Sequence, residues 1–325
     1  MAAPIGIGIV GVGRMGSEHA RIIQRRVSGA RVVAVADVDG GAAGRLAAEL
    51  GISHVYESAA EVAADPAVEG VIVATSTSRH LEAVRQVIAE RRDVLCEKPL
   101  ALTLADTNAA IAAADAAGVR LQVGFMRRFD PEYRRAHDLL RSGVCGRPIV
   151  FSSLQFDGVP PPLAYADPAI SGGIMVDMGI HEFDLARWLI GDEVAEVHAW
   201  GSVEAFPELA TVDDVDSAVI SLRYAGGAMG IIALTRFNAA GDEVRTEVPG
   251  TTGSVHYGER RAVGVEHEPI FELAYAAQAE AFVAAIRDDR PVEVDGRDAR
   301  AAFLIALAAD RSRRSGQSVP VATVD

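Results

Sequence analysis

The chain opens on Ile5-Gly6-Ile7-Gly8-Ile9-Val10, an apolar run that ends at Gly11-Val12-Gly13-Arg14-Met15-Gly16. A short hydrophobic stretch stopped by glycine reads as a strand buried on both faces. The segment after it, Met15 to Val27, reads as a helix. In such a G-x-G-x-x-G turn the first glycine permits the sharp bend, the second lets a pyrophosphate approach the backbone, and the third lets helix and strand pack closely. The helix N-terminus adds free N–H donors and a positive dipole end for phosphate oxygens. Asp37 stands 21 residues after Gly16, at the end of the next apolar run. A carboxylate there accepts hydrogen bonds from both ribose hydroxyls of a dinucleotide. Val38-Asp39-Gly40-Gly41 follows, with no arginine to receive a 2′-phosphate, so the expected cofactor is NAD rather than NADP.

Further strands are predicted at Arg31–Ala36, His54–Tyr56, Val71–Ala74, Val94–Cys96 and Leu121–Val123. Ala- and Leu-rich helical stretches near Ala42–Leu50, Arg79–Glu90 and Leu104–Ala117 separate them. Six strands alternating with helices, without hairpin signals, imply a parallel, doubly wound α/β sheet of the Rossmann type. Beyond Gly124 the pattern changes. Helices are expected over Pro131–Arg141 and Met175–Ile190, and strands over Pro148–Phe156, Val194–Phe206, Val215–Tyr224 and Ala228–Phe237, the last two joined at Ala225-Gly226-Gly227. Adjacent alternating strands with a hairpin turn predict an α+β domain built on a large, open, mainly antiparallel sheet. Two helices, Phe271–Arg287 and Arg297–Arg313, close the chain. The expected division is therefore a dinucleotide-binding domain over 1–124 and a substrate-binding and oligomerisation domain over 125–325. The sheet strands of the second domain look apolar on both faces, with Ala218, Ile220 and Leu222 in one strand and Met229, Ile231 and Phe237 opposite Ile232 and Leu234 in the next. Helices cover one face only, so a homodimer or homotetramer is expected.

Composition narrows the partners. With 325 residues, 31 Lys and Arg against 45 Asp and Glu, and a net charge of −14, most of the surface repels a polyphosphate backbone, and nucleic acid is not an expected partner. The pairs Arg91-Arg92, Arg127-Arg128 and Arg313-Arg314 are too short and scattered to make a basic stripe. No apolar run reaches the length of a membrane span, and the first ten residues lack a basic region and a cleavage site. Only Cys96 and Cys145 are present, so a disulfide framework is not expected and a cytoplasmic location is.

A methyltransferase also carries a glycine loop and an acidic strand end, so a second motif has to decide. Glu97-Lys98-Pro99 puts a lysine at the carboxyl end of the fifth strand, facing the crevice where ligands bind in open α/β sheets. The cofactor-binding candidates are Gly11, Gly13, Arg14, Met15, Gly16, Asp37, Thr75, His80, Glu97 and Lys98. Asp177 and His181 are spaced i,i+4 in a predicted helix, which projects both from one face. A third metal ligand at useful spacing is missing and Cys145 is remote, so acid/base work is expected of the pair rather than metal binding.

Together the glycine loop, Asp37, Glu97-Lys98-Pro99, the Val123-Gly124-Phe125-Met126-Arg127-Arg128-Phe129-Asp130 stretch and Asp177-x-x-x-His181 resemble the Gfo/Idh/MocA oxidoreductase family over nearly the whole chain. Gly-Phe-Met-Arg-Arg and Ile-His-Glu-Phe-Asp are similar in particular to its inositol 2-dehydrogenases. The resemblance implies NAD or NADP in the first domain, an open sheet carrying substrate residues and mediating oligomerisation in the second, and catalytic roles for Lys98, Asp177 and His181. Met126, Arg127 and Asp157 join these three as candidate substrate contacts. The implied chemistry is oxidation of a ring hydroxyl of a cyclic polyol or sugar. Where inositol dehydrogenases often carry a tyrosine, this chain reads Asn238-Ala239-Ala240-Gly241-Asp242-Glu243-Val244-Arg245, which keeps pyranoses and keto-sugars open as substrates. A non-catalytic NAD-binding sensor, and a lyase or hydrolase that recycles NAD within its cycle, are the rival readings of the fold.

Overall fold

A computed structural model describes residues 3–259 and 271–324. In chain order the elements are β1 (Ile5–Val10), α1 (Arg14–Arg26), β2 (Ala30–Ala36), α2 (Gly40–Leu50), β3 (His54–Tyr56), α3 (Ala59–Ala64), β4 (Gly70–Val73), α4 (His80–Ala89), β5 (Asp93–Cys96), α5 (Leu104–Ala117) and β6 (Leu121–Val123). Then follow α6 (Pro131–Arg141), β7 (Val150–Phe156), α7 (Leu163–Ala166), α8 (Pro168–Ser171), α9 (Gly173–Asp177), α10 (Gly179–Ile190), β8 (Val194–Ser202), β9 (Ser217–Tyr224), β10 (Met229–Thr235), β11 (Glu243–Pro249), β12 (Ser254–Tyr257), α11 (Glu272–Arg287), α12 (Gly296–Ser315) and β13 (Val319–Pro320).

Two units divide the chain, Met1–Asp130 with Phe271–Arg300, and Pro131–Ile270 with Ala301–Asp325. The first holds a six-stranded sheet, order β3-β2-β1-β4-β5-β6, in which every pairing is parallel. Chain direction across the sheet reverses between β1 and β4, the switch point where doubly wound sheets open a crevice at the carboxyl ends of their strands. Local chemistry sets the helix ends: Asp39, Ser58 and Thr103 accept a backbone N–H at the starts of α2, α3 and α5, and Gly51 and Gly118 close α2 and α5 in the left-handed region. One core joins Ile5, Ile7 and Ile9 of β1 to Ile22 and Ile23 of α1 and to Ala276, Ala279, Phe282 and Val283 of α11. A boundary at 124/125 thus omits a segment, Phe271–Arg300, that packs with the first unit in the structure. The helix α11 is alanine-rich, and nothing in its periodicity tells which sheet its apolar residues meet.

The second unit holds a seven-stranded sheet, order β12-β11-β7-β10-β9-β8-β13. It is mixed rather than purely antiparallel, because β7 and β10 run parallel, in register Phe156↔Thr235. Alternation along β9 and β10 buries Ala218, Ile220, Leu222, Ile232 and Leu234 on one face and leaves Val219, Met229 and Ile231 exposed on the other, with Trp200 of β8. The strands β11 and β12 lie beyond the ones foreseen from the sequence. The helix expected over Met175–Ile190 is interrupted at Met178, which separates α9 from α10. His181 N donates to Met178 O in a tightened turn, and a Cβ on Gly179 would lie 3.0 Å from the Phe183 ring and 3.2 Å from Leu234. Asp177 therefore ends one short helix and His181 lies in the first turn of the next.

Candidate active site

The glycine turn of the first unit has the backbone geometry a bound phosphate would need. A Cβ on Gly16 would sit 1.8 Å from the Gly11 carbonyl oxygen, so only glycine lets α1 close on the turn. A Cβ on Gly13, by contrast, would meet nothing within 4 Å: the space beside this backbone is open. Gly13 also caps α1 without a side-chain hydrogen bond, leaving first-turn N–H groups to a ligand. Arg14 is exposed and Met15 half-buried at the same turn. Gly11, at φ +86, abuts Ala74 and the Thr75 nitrogen, which brings Thr75 to the loop. Asp37 Oδ2 accepts from Val12 N at 2.7 Å and Oδ1 from Asp39 N at 2.9 Å, so the carboxylate stands against the glycine turn and half in solvent. These features fit a dinucleotide held by Gly11–Gly16 at its pyrophosphate and by Asp37 at its ribose.

At the carboxyl end of β5, Glu97 is buried and Lys98 half-buried, with a cis peptide bond between Lys98 and Pro99. Glu97 Oε2 accepts from Lys98 N at 3.2 Å. His80 is buried, with Nδ1 2.8 Å from Pro99 O and Nε2 3.1 Å from Thr75 O, so its ring ties the β4 loop to the lysine loop by backbone contacts. Burial pushes the His80 imidazole down from its ordinary value, against the pull of these two carbonyls. Met126 and Arg127 are buried as well, and the Arg127 guanidinium lies 5.0 Å from the centre of the Phe271 ring.

In the second unit His181 is buried and Asp177 half-buried. Asp177 Oδ2 accepts from Arg236 Nη1 at 3.3 Å, and Oδ1 from the Tyr165 hydroxyl at 3.2 Å. The parallel register of β7 with β10 carries Asp157 and Arg236 to the same end of the sheet, each one residue past its strand. Asp157 is half-buried and accepts from Gln155 Nε2 at 3.1 Å. Sequence reasoning missed Arg236, Asp214, Tyr165 and His19. The signals were slight: a charged residue ending the apolar run of β10, and a histidine three residues past Gly16 on the buried side of α1.

Comparison with known proteins places this architecture. Residues 5–125 match the model of an oxidoreductase family with an NAD-binding Rossmann fold, and residues 133–256 match the GFO/IDH/MocA C-terminal domain. The chain is 34% identical to a myo-inositol 2-dehydrogenase of Thermotoga maritima over 98% of its own length and 99% of that protein's. It is 34% identical to a scyllo-inositol 2-dehydrogenase (NAD(+)) of Bacillus subtilis, covering 96% of this chain and 94% of the other. A crystal structure of Lactobacillus casei scyllo-inositol dehydrogenase with bound NAD(H) and scyllo-inositol superposes with a TM-score of 0.88 at 28% identity, covering 98% of this chain and 100% of that one. The chain belongs to the GFO/IDH/MocA oxidoreductase family. It is an NAD-dependent oxidoreductase that acts on CH–OH donors.

Proposed function

We propose that the protein oxidises a secondary hydroxyl on the ring of an inositol, with Lys98, Asp177 and His181 as its catalytic residues and Met126, Arg127 and Asp157 among those that bind substrate. The observation that carries this reading is the likeness to a myo-inositol 2-dehydrogenase over 98% of the chain. Bound NAD supplies the hydride acceptor. Imidazole titrates near neutrality, so His181 takes the hydroxyl proton. Lys98 donates to the reacting oxygen and, as a cation, stabilises the alkoxide that develops there. Asp177, held by Arg236 and Tyr165, orients the imidazole or a neighbouring hydroxyl. A lone NAD sensor has no use for such a proton acceptor.

The test is NADH formation across a panel of inositols, pyranoses, acyclic alcohols and hydroxy acids. Turnover on inositols above the other classes is expected. Activity confined to acyclic alcohols or hydroxy acids overturns the reading, a preference for aldoses replaces inositol with a pyranose, and NAD binding without NADH release returns the sensor. We propose further that the chain assembles as a homodimer or homotetramer that covers Trp200, Val219, Met229 and Ile231, since an apolar sheet face of this kind is a liability in water. Two free, buried cysteines suit a reducing cytoplasm.

A further inference from the structure

Arg236 has no exposed surface, although it follows an apolar strand in which a hydrophobic residue would pack without the cost of burying a cation. Its two terminal nitrogens go to different carboxylates. Nη1 donates to Asp177 Oδ2 at 3.3 Å and Nη2 to Asp214 Oδ2 at 2.8 Å. Asp214, itself buried, also accepts from Ile174 N through Oδ1 at 3.1 Å. Ile174 is in the first turn of α9, and Asp177 is its last residue. Asp214 thus grips α9 at its start by the backbone, while Arg236, fixed by the same Asp214, grips it at its end by the side chain. Gly173, at φ +73, lets this carboxylate in: a Cβ there would lie 3.0 Å from Asp214 Oδ1. Arg236 is braced in turn, its N donating to Asp216 O at 2.8 Å. Tyr165, on the exposed side, donates to the remaining Asp177 oxygen.

We infer that Arg236 is a positioning residue for the reaction: with Asp214 as its anchor it holds the Asp177 carboxylate in one orientation. The inference rests on the reading of Asp177 as part of the catalytic machinery. A rigid planar fork suits this task, since it fixes two acceptors at once, where a lysine offers a single flexible point of charge.

The experiment compares Arg236→Met, Arg236→Lys and Asp214→Asn, alone and in an Asp177→Asn background, by kcat on the substrate found in the panel, by NAD Kd and by thermal melting. Small misplacements of a reacting group cost up to about 100-fold. Arg236→Met is therefore expected to lower kcat roughly 10- to 100-fold with NAD Kd changed by less than about twofold. Arg236→Lys should recover part of the loss, and in Asp177→Asn the arginine substitution should change kcat by less than about twofold, since residues acting as one unit are not additive. If Arg236→Met does not fold, Asp214→Asn decides, because it keeps the guanidinium and replaces its charged anchor by a neutral amide whose oxygen can still accept from Ile174 N; a loss of kcat is expected there too. Wild-type kcat in the folded variants, a parallel loss of NAD affinity, or effects that multiply in the Asp177→Asn background overturn the inference. Wild-type kcat in Asp177→Asn itself sinks the catalytic reading of Asp177 and the inference with it, an outcome distinct from loss in that variant with none in Arg236→Met.

Discussion

Glu97 Oε1 lies 2.7 Å from His19 Nε2, a buried pair that joins the carboxyl end of β5 to the helix that starts at the glycine turn. Burial opposes ionisation of Glu97, but the His19 hydrogen bond and the charges of His19 and Lys98 outweigh it and hold the carboxyl below its usual range. Since Glu97 also accepts from Lys98 N, the pair fixes the backbone of the candidate catalytic lysine.

That depressed pKa makes a pH prediction. A carboxyl whose folded value lies below its unfolded value, about 4.3 for glutamate, contributes stability that is present above the unfolded value and lost as pH falls through the folded one. Acid should therefore destabilise the wild type more steeply than Glu97→Gln. His19→Ala, which leaves the carboxylate buried without its partner, should cost about 3 kcal/mol at neutral pH. Melting temperatures between about pH 3 and pH 7 check both, and identical acid profiles for wild type and Glu97→Gln would assign the effect elsewhere.

Asp37→Ala removes the acceptor for Val12 N and the proposed ribose contact together. Hydrogen bonds to a charged group are worth about 1.5–3 kcal/mol, so NAD Kd should rise at least roughly tenfold. The advantage over NADP should shrink, because the carboxylate that repels a 2′-phosphate is gone. Calorimetric titration of both cofactors measures this; tighter NADP than NAD in the wild type would reverse the assignment.

His181→Ala should lower kcat by roughly two to four powers of ten, the worth of a positioned acid/base group. NAD affinity should hold, because the candidate glycine turn belongs to the first unit. Near-normal turnover would leave the buried imidazole a purely structural part.

Phe282 of α11 is fully buried in the core with β1. Truncating such a ring costs about 3–5 kcal/mol, so Phe282→Ala should lower stability by that much and weaken NAD binding only through unfolding. A fragment ending at Gly124 lacks α11 altogether and should not unfold cooperatively. A cooperative transition in that fragment would show that the returning helix is dispensable.

Ile231 is 48% exposed at the centre of the open face of the second sheet. If this face is covered by another copy, Ile231→Arg should lower the mass seen by light scattering to that of the monomer, 34.2 kDa. A wild-type monomer at micromolar concentration would count against the assembly.

The residues near one another in the chain were the legible ones. Ile5–Val10, His54–Tyr56, Leu121–Val123, Leu104–Ala117 and Pro131–Arg141 stand where hydrophobic runs, glycines and proline put them, and NAD was legible from the glycine turn and Asp37 because a dinucleotide motif is a local backbone geometry. Even α3, which went unread, announces itself locally, with Ser58 accepting from Glu61 N and donating to its carboxylate. What only the tertiary structure decided depends on partners far apart in sequence. The alanine-rich α11 could pack on either sheet, and in the structure Phe282 lies against Gly70 of β4, in the core that also holds the β1 isoleucines. The parallel pairing of β7 with β10 joins residues about eighty positions apart and turns the tail of an apolar strand into the place where Arg236 meets Asp177 and Asp214. A single arginine after a hydrophobic run carries no mark of the two carboxylates it will bind; burial made them necessary, because a desolvated guanidinium is stable only where folding brings counter-charges to it.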